Sequence, residues 1–241
     1  MIRRAIVAPM ASALRTVGRA ARLGPIWETL TEPAIYLLGW GAWAFDWGFR
    51  LPRIGLALIG RMRPAVIDVR PILMSGPDRD PVRSFELARR LCADASALLE
   101  RHGIALAWEE PTLEPGPARL PPCSARGLFT GFFLWASARA DARALTVYLV
   151  EDFGDLAGCS YPGADWVVLD SRTDGTTLVH ELGHLADLWG HSKDPQNLMT
   201  DQPGGSHDRL TQVQVAMIRT SRFARGVRVV SARVPGRREP D

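Results

Sequence analysis

Three of the chain's five histidines fall in one short stretch, residues 180–199, HELGHLADLWGHSKDPQNLM. His180 and His184 are four residues apart, so on an α-helix both imidazoles leave the same face, close enough to share a metal ion. Glu181 sits one position round from the first histidine. That place suits a carboxylate that takes a proton from a water on the metal without binding the metal itself. The chemistry this spacing supports is metal-assisted hydrolysis. Two solvated or core histidines would need neither the glutamate nor the interval.

A catalytic zinc site takes three protein ligands, and Asp187 and His191 compete for the third place. On an unbroken helix Asp187 would share the His180 face but lie about 10 Å along the axis, at 1.5 Å per residue, too far for one ion to bind both easily. A better geometry ends the helix near Asp187, uses a positive φ at Gly190 and swings His191 back over the metal. Asp187, or a more distant carboxylate such as Asp201, stays open as an alternative third ligand.

The segment resembles the metzincin metallopeptidases, and most of all their matrixin branch, whose pattern is HExxHxxGxxH followed by a methionine turn. His180, Glu181 and His184 match directly, and the run from His191 through Asn197 and Leu198 to Met199 looks like the family's passage from third histidine to methionine. The resemblance implies Zn²⁺ held by His180, His184 and His191, with Glu181 as general base and Met199 as an apolar floor under the metal. It further implies an endopeptidase whose peptide or protein substrate pairs with an edge strand near Gly158, Cys159, Ser160 and Tyr161.

Two departures stand out. Asp187 occupies the family's glycine position and His191 comes one residue late, which reads as a one-residue insertion with a remodelled turn, since Asp tolerates the left-handed region better than most residues. Asp201 stands where astacin-like and serralysin-like members carry a tyrosine, so no tyrosine ligand is expected. The resemblance spans roughly residues 65–223 and is strongest over 156–201.

The elements that must position these residues can be read independently. Residues 65–74 alternate loosely as a strand, and 84–102 carry Ala88, Leu91, Cys92, Ala95, Leu98 and Leu99 at helical spacing before Gly103. Residues 104–108, 144–150 and 166–169 have strand character, and 156–161 form a candidate edge strand. Thr173 or Asp174 caps the active-site helix, whose Leu178, Leu182 and Leu185 face the core. A last helix over about 209–222 is expected to bury Leu210, Val213 and Met217. The Pro-rich stretch 111–122 reads as a surface loop, and 128–138 resists assignment. The order gives an α+β fold, a mixed and mostly parallel twisted sheet with an active-site helix and a C-terminal helix.

Charge divides the chain into three parts. Residues 1–63 carry a balance of +6, residues 64–218 one of −8 and residues 219–241 one of +5. The domains expected are a basic, Trp-rich hydrophobic segment over 1–63, a metallopeptidase domain over 64–223 and a basic tail over 224–241. Within the first, residues 33–45 are uninterruptedly apolar or small, short of the roughly twenty a membrane span wants. Trp27, Trp40, Trp43 and Trp47 lie there with Arg22, Arg50 and Arg53 nearby, a composition suited to the headgroup zone of a bilayer. Membrane association through residues 26–62, as a short anchor or an interfacial helix, is the expectation, with an apolar helix packed on the catalytic domain or on a partner as the alternative.

The catalytic domain is placed outside the cytoplasm, where Cys123 and Cys159 could pair, while Cys92 reads as a buried free thiol. Cys123 lacks the sequence context of the inhibitory cysteine in matrixin precursors and is given no such role. Arginine outnumbers lysine 28 to one, which points to codon bias, and the basic tail around residues 219–238 has no interleaved aromatics or recognised motif, so no nucleic acid is expected as a partner. Two rivals remain: a zinc peptidase of another clan, and a non-catalytic, membrane-associated protein that binds zinc or peptides.

Overall fold

The computed structural model describes residues 41, 44–60, 64–75, 84–115, 144–151, 156–160, 164–201 and 207–226. Of the expected features, Tyr161, Cys123, the first forty residues, Trp43, the stretch 128–138 and the tail beyond 226 lie outside them.

The sheet is built around one long strand, β1 (Ala65–Ser75). Helix α1 precedes it over residues 44–58. Helix α2 (Phe85–Glu100) follows, with the Ser84 side chain accepting the Leu87 N–H at its start. Strands β2 (Ile104–Trp108) and β3 (Thr112–Pro115) then run parallel to β1, β2 along its first half and β3 along its second. Next come β4 (Leu145–Val150), β5 (Gly158–Ser160) and β6 (Trp166–Asp170). Helix α3 (Gly175–Leu185), helix α4 (Gln212–Arg219) and strand β7 (Ala224–Gly226) complete the described chain.

The strand order is β2-β1-β4-β6-β5, with β3 and β7 also paired to β1. All neighbours are parallel except β5 against β6 and β7 against β1. The sheet is therefore mixed and mostly parallel, as expected. β4 and β6 are buried along their whole length, which is why they read as continuous apolar runs and not as alternations.

The main core lies between one sheet face and the two long helices, where Ile67, Val69, Leu73, Leu145, Val147, Val167 and Leu169 meet Leu91, Ala95 and Leu99 of α2 and Leu178, Val179 and Leu182 of α3. Gly175 lets α3 start hard against α2: a Cβ there would come within 2.5 Å of the Ala95 backbone nitrogen.

Three expectations need correction. Val213 is 55% exposed, and the buried residues of α4 are Ala216 and Ile218. The helix is shorter than its apolar spacing implies, because Thr211 starts it with a capping box closed by Gln214. Residues 112–115, read as loop, instead pair with β1 as β3, which the free edge of the long β1 makes possible. Residues 224–226, read with the tail, pair antiparallel with residues 65–67.

Candidate metal centre and active site

Helix α3 carries the first half of the site. Asp174 caps it by accepting the N–H groups of Thr176 and Thr177, and Leu178, Val179 and Leu182 seat it on the sheet, leaving His180 and His184 on the opposite side. The helix ends in a Schellman motif: the Asp187 N–H reaches the His184 carbonyl at 3.0 Å and the Leu188 N–H the Gly183 carbonyl at 3.1 Å. The left-handed residue this motif needs is Asp187 itself, at φ +65°. Gly190 follows at φ +81°, as the sequence suggests. Two left-handed residues thus absorb the extra residue and return the chain so that His191 faces the helix.

The three histidines converge. His184 Nε2 lies 3.0 Å from His180 Nε2 and 3.2 Å from His191 Nε2. Among the described residues these form the one group of three or more His, Cys, Asp or Glu able to hold a metal ion. The tautomers follow from their outer partners. His180 Nδ1 meets the Leu198 carbonyl and His184 Nδ1 the Leu188 carbonyl, each at 2.9 Å, and a carbonyl can only accept. Nδ1 therefore carries the proton, and each Nε2 turns a lone pair toward the other.

Two such lone pairs at 3.0 Å repel unless a cation lies between them. Two nitrogens bound to tetrahedral zinc at about 2.05 Å would be about 3.3 Å apart, so the donor set fits that ion. Burial pushes His180 down to about 4, against the hydrogen bond to Leu198, keeping the imidazole neutral near neutral pH.

Glu181, on the same helix, reaches the sheet edge. Its carboxylate accepts the Ser160 hydroxyl at 2.6 Å, and its side chain packs on Gly158, where a Cβ would come within 2.9 Å of Glu181 Cγ. Burial pushes this carboxyl up to about 7, opposed by the Ser160 hydrogen bond and by His191. The base candidate is thus held between α3 and β5, the terminal strand of the sheet. Cys159 in that strand is disulfide-bonded, and Cys92 is buried and outside any disulfide.

The remaining candidates separate cleanly. Asp187 is buried, and its carboxylate is taken by the Arg50 guanidinium, not by the histidine cluster. Asp201 lies 3.5 Å from His191 Nδ1, on the outer side of that ring, where a carboxylate orients an imidazole. Met199 is buried against the middle of α3: a Cβ on Gly183 would stand 2.2 Å from Met199 Sδ.

Several supporting residues escaped the sequence reading. Asn197 Oδ1 accepts the Met199 N–H at 2.8 Å, and its amide exchanges hydrogen bonds with Gln214 of α4 at 2.9 and 3.1 Å. The methionine turn is thereby tied to the last helix. Gly183 had a visible signal, since glycine inside a helix costs about 1 kcal/mol against alanine and wants a reason. Arg50 had none, because its partner is 137 positions away.

No family model matches the chain, and no curated protein matches it in sequence. Among solved structures it is similar to metalloproteinase-II from Bacteroides fragilis, with 16% identity, a TM-score of 0.44 and coverage of 66% of this chain and 54% of that one. It is also similar to a chaperone-substrate complex, at 14% identity and a TM-score of 0.43 over 66% of this chain and 34% of that one. A third is a zinc-dependent peptidase from Methanocorpusculum labreanum, with 16% identity, a TM-score of 0.39 and coverage of 62% and 99%. The chain spans about half the length of metalloproteinase-II. The chemistry of the site therefore rests on its own geometry.

Proposed function

We propose that this chain is a zinc-dependent endopeptidase of metzincin type, nearest the matrixin branch. His180, His184 and His191 hold the metal and Glu181 is the general base. The observation that carries this reading is the convergence of three imidazole Nε2 atoms, two with their Nδ1 atoms committed to carbonyls, beside a buried glutamate on the same helix. Zinc held there supplies Lewis acidity that acidifies a water and polarises a peptide carbonyl.

The chain's own residues do the rest. Glu181, held at the edge of the sheet by Ser160, accepts the proton of the attacking water and returns it to the leaving amine. Strand β5 ends the sheet order, so an extended peptide adds to it through main-chain hydrogen bonds at Gly158, Cys159, Ser160 and onward to Tyr161. Main-chain pairing of that kind carries little sequence selectivity. The test is zinc content combined with cleavage of an unfolded protein, in wild type, Glu181→Gln and His191→Ala. The reading requires one zinc with cleavage in the first, zinc without cleavage in the second and loss of both in the third.

We also propose that the amino-terminal region lies on a membrane surface, with the catalytic domain outside the cytoplasm. No helix among the described residues is long and apolar enough to cross a membrane. Helix α1 does expose Phe45, Phe49 and Leu56 at intervals of four and seven residues along one face, with Leu51 and Leu58 exposed on another side and Ile59 exposed in the turn that follows. An interfacial helix accounts for that stripe, and a disulfide at Cys159 suits an oxidising compartment.

A further inference from the structure

Opposite its exposed stripe, α1 turns Arg50 into the body of the protein. The guanidinium donates to the Asp187 carboxylate, to the Ala186 carbonyl at 2.7 Å, to the Met217 carbonyl at 2.6 Å and, through Nε, to Thr220 Oγ1 at 3.3 Å. Ala186 closes α3, and Met217 and Thr220 belong to the last turn and cap of α4. The cation therefore sits where two helices point their negative ends and donates to a carbonyl at each, the Met217 carbonyl also accepting the Thr220 hydroxyl. Both charged partners are almost fully buried.

The socket lies directly behind the metal centre. Asp187 adopts φ +65°, a conformation that glycine takes at less cost, so the carboxylate must be worth the strain. The next residue, Leu188, supplies the carbonyl that receives the His184 Nδ1 proton, and the chain then runs three residues to His191. Whatever fixes the turn at 187 thus fixes the orientation of one imidazole and the reach of another.

We propose that Arg50 is a positioning residue for the metal centre: it locks the turn at Asp187, so the three-histidine site is fully formed only when helix α1 is docked. This rests on the metal-centre reading above. It goes beyond it by making the amino-terminal helix a working part of the site and not only an attachment device.

The test uses the full chain loaded with Co²⁺, whose visible absorption reports ligand number and geometry, alongside thermal unfolding of the metal-free proteins. Arg50→Ala and Asp187→Asn should each weaken Co²⁺ binding about 10- to 100-fold and change the spectrum, the range typical when a residue behind a metal ligand is removed. Asn favours the left-handed region, so Asp187→Asn removes the charge while keeping the turn accessible. Free guanidinium, well below denaturing concentrations, should restore part of the affinity of Arg50→Ala. If that variant fails to fold, Asp187→Asn and Arg50→Lys decide the question. Wild-type affinity and spectrum in the folded variants would overturn this inference alone. Failure of the wild type to take up Co²⁺ would overturn the metal-centre reading and this inference with it.

Discussion

Glu181 has two fixed neighbours, the Ser160 hydroxyl and the Gly158 backbone, and both belong to the strand on which a peptide would lie. Replacing Glu181 by Gln keeps the shape and the contact while removing the basic oxygen. Turnover is expected to fall by about 10²- to 10⁴-fold with zinc content unchanged, as read by metal analysis and peptide cleavage. Gly183→Ala acts from the other side. Its new methyl would stand 2.2 Å from the Met199 sulfur, so the methionine turn must move, at a cost of about 1–3 kcal/mol in denaturant unfolding and with weaker metal binding. His180, Glu181 and His184 were legible because helical periodicity makes their neighbourhood a local matter. The partners of Asp187 and Glu181 were not, since those contacts form only once distant segments pack.

Helix α3, which carries His180 and His184, depends on its first turn and on the turn that ends it. Asp174→Ala removes the acceptor for two N–H groups and should cost about 1 kcal/mol of stability. Burial pushes the Asp174 carboxyl upward, but its hydrogen bonds from Thr176 and Thr177 outweigh that and hold it below its ordinary 3.8. A carboxyl lowered on folding favours the folded state above its unfolded value, so this contribution is present above about pH 4 and is lost as acid carries the protein below the folded value.

His102, in the turn after α2, works in the same direction at higher pH. Burial, against a hydrogen bond to the Asp208 backbone, keeps it below its ordinary 6.5. The folded state then binds fewer protons, so stability is present above 6.5 and falls as the pH drops beneath it. In the metal-free protein His102→Gln should flatten the decline in melting temperature between about pH 6.5 and 5. An unchanged slope would remove His102 from the cause.

Strands and helices with strong periodicity were read within a few residues. The short strands β3 and β7 were not, because each exists only as a partner to β1 and carries no pattern of its own.

At the scale of the molecule, the negative balance of residues 64–218 and the positive balance of both ends set the central part of the chain apart from its flanks. The exposed apolar residues of α1 and the turn after it continue that division, with Phe49 at 65% and Ile59 at 64% exposure. The full chain should sediment with anionic phospholipid vesicles, and Phe49→Asp with Ile59→Asp should weaken that binding, more so at high salt where arginine attraction is screened. Undiminished binding by the double variant would place the lipid contact elsewhere. The fold class was legible from the order of elements, and a helix packed on the domain was the stated alternative for this segment, but its docking through Arg50 was not legible, because the partner, Asp187, lies 137 positions away.

Every step proposed for the site requires three imidazoles to share one ion and leave room for chemistry. Metal analysis of the purified full chain, wild type against His191→Ala, measures this most directly. One tightly held zinc per chain in the wild type, lost or greatly weakened in the variant, is the expected result. Zinc retained at the same affinity after His191 is removed would contradict it.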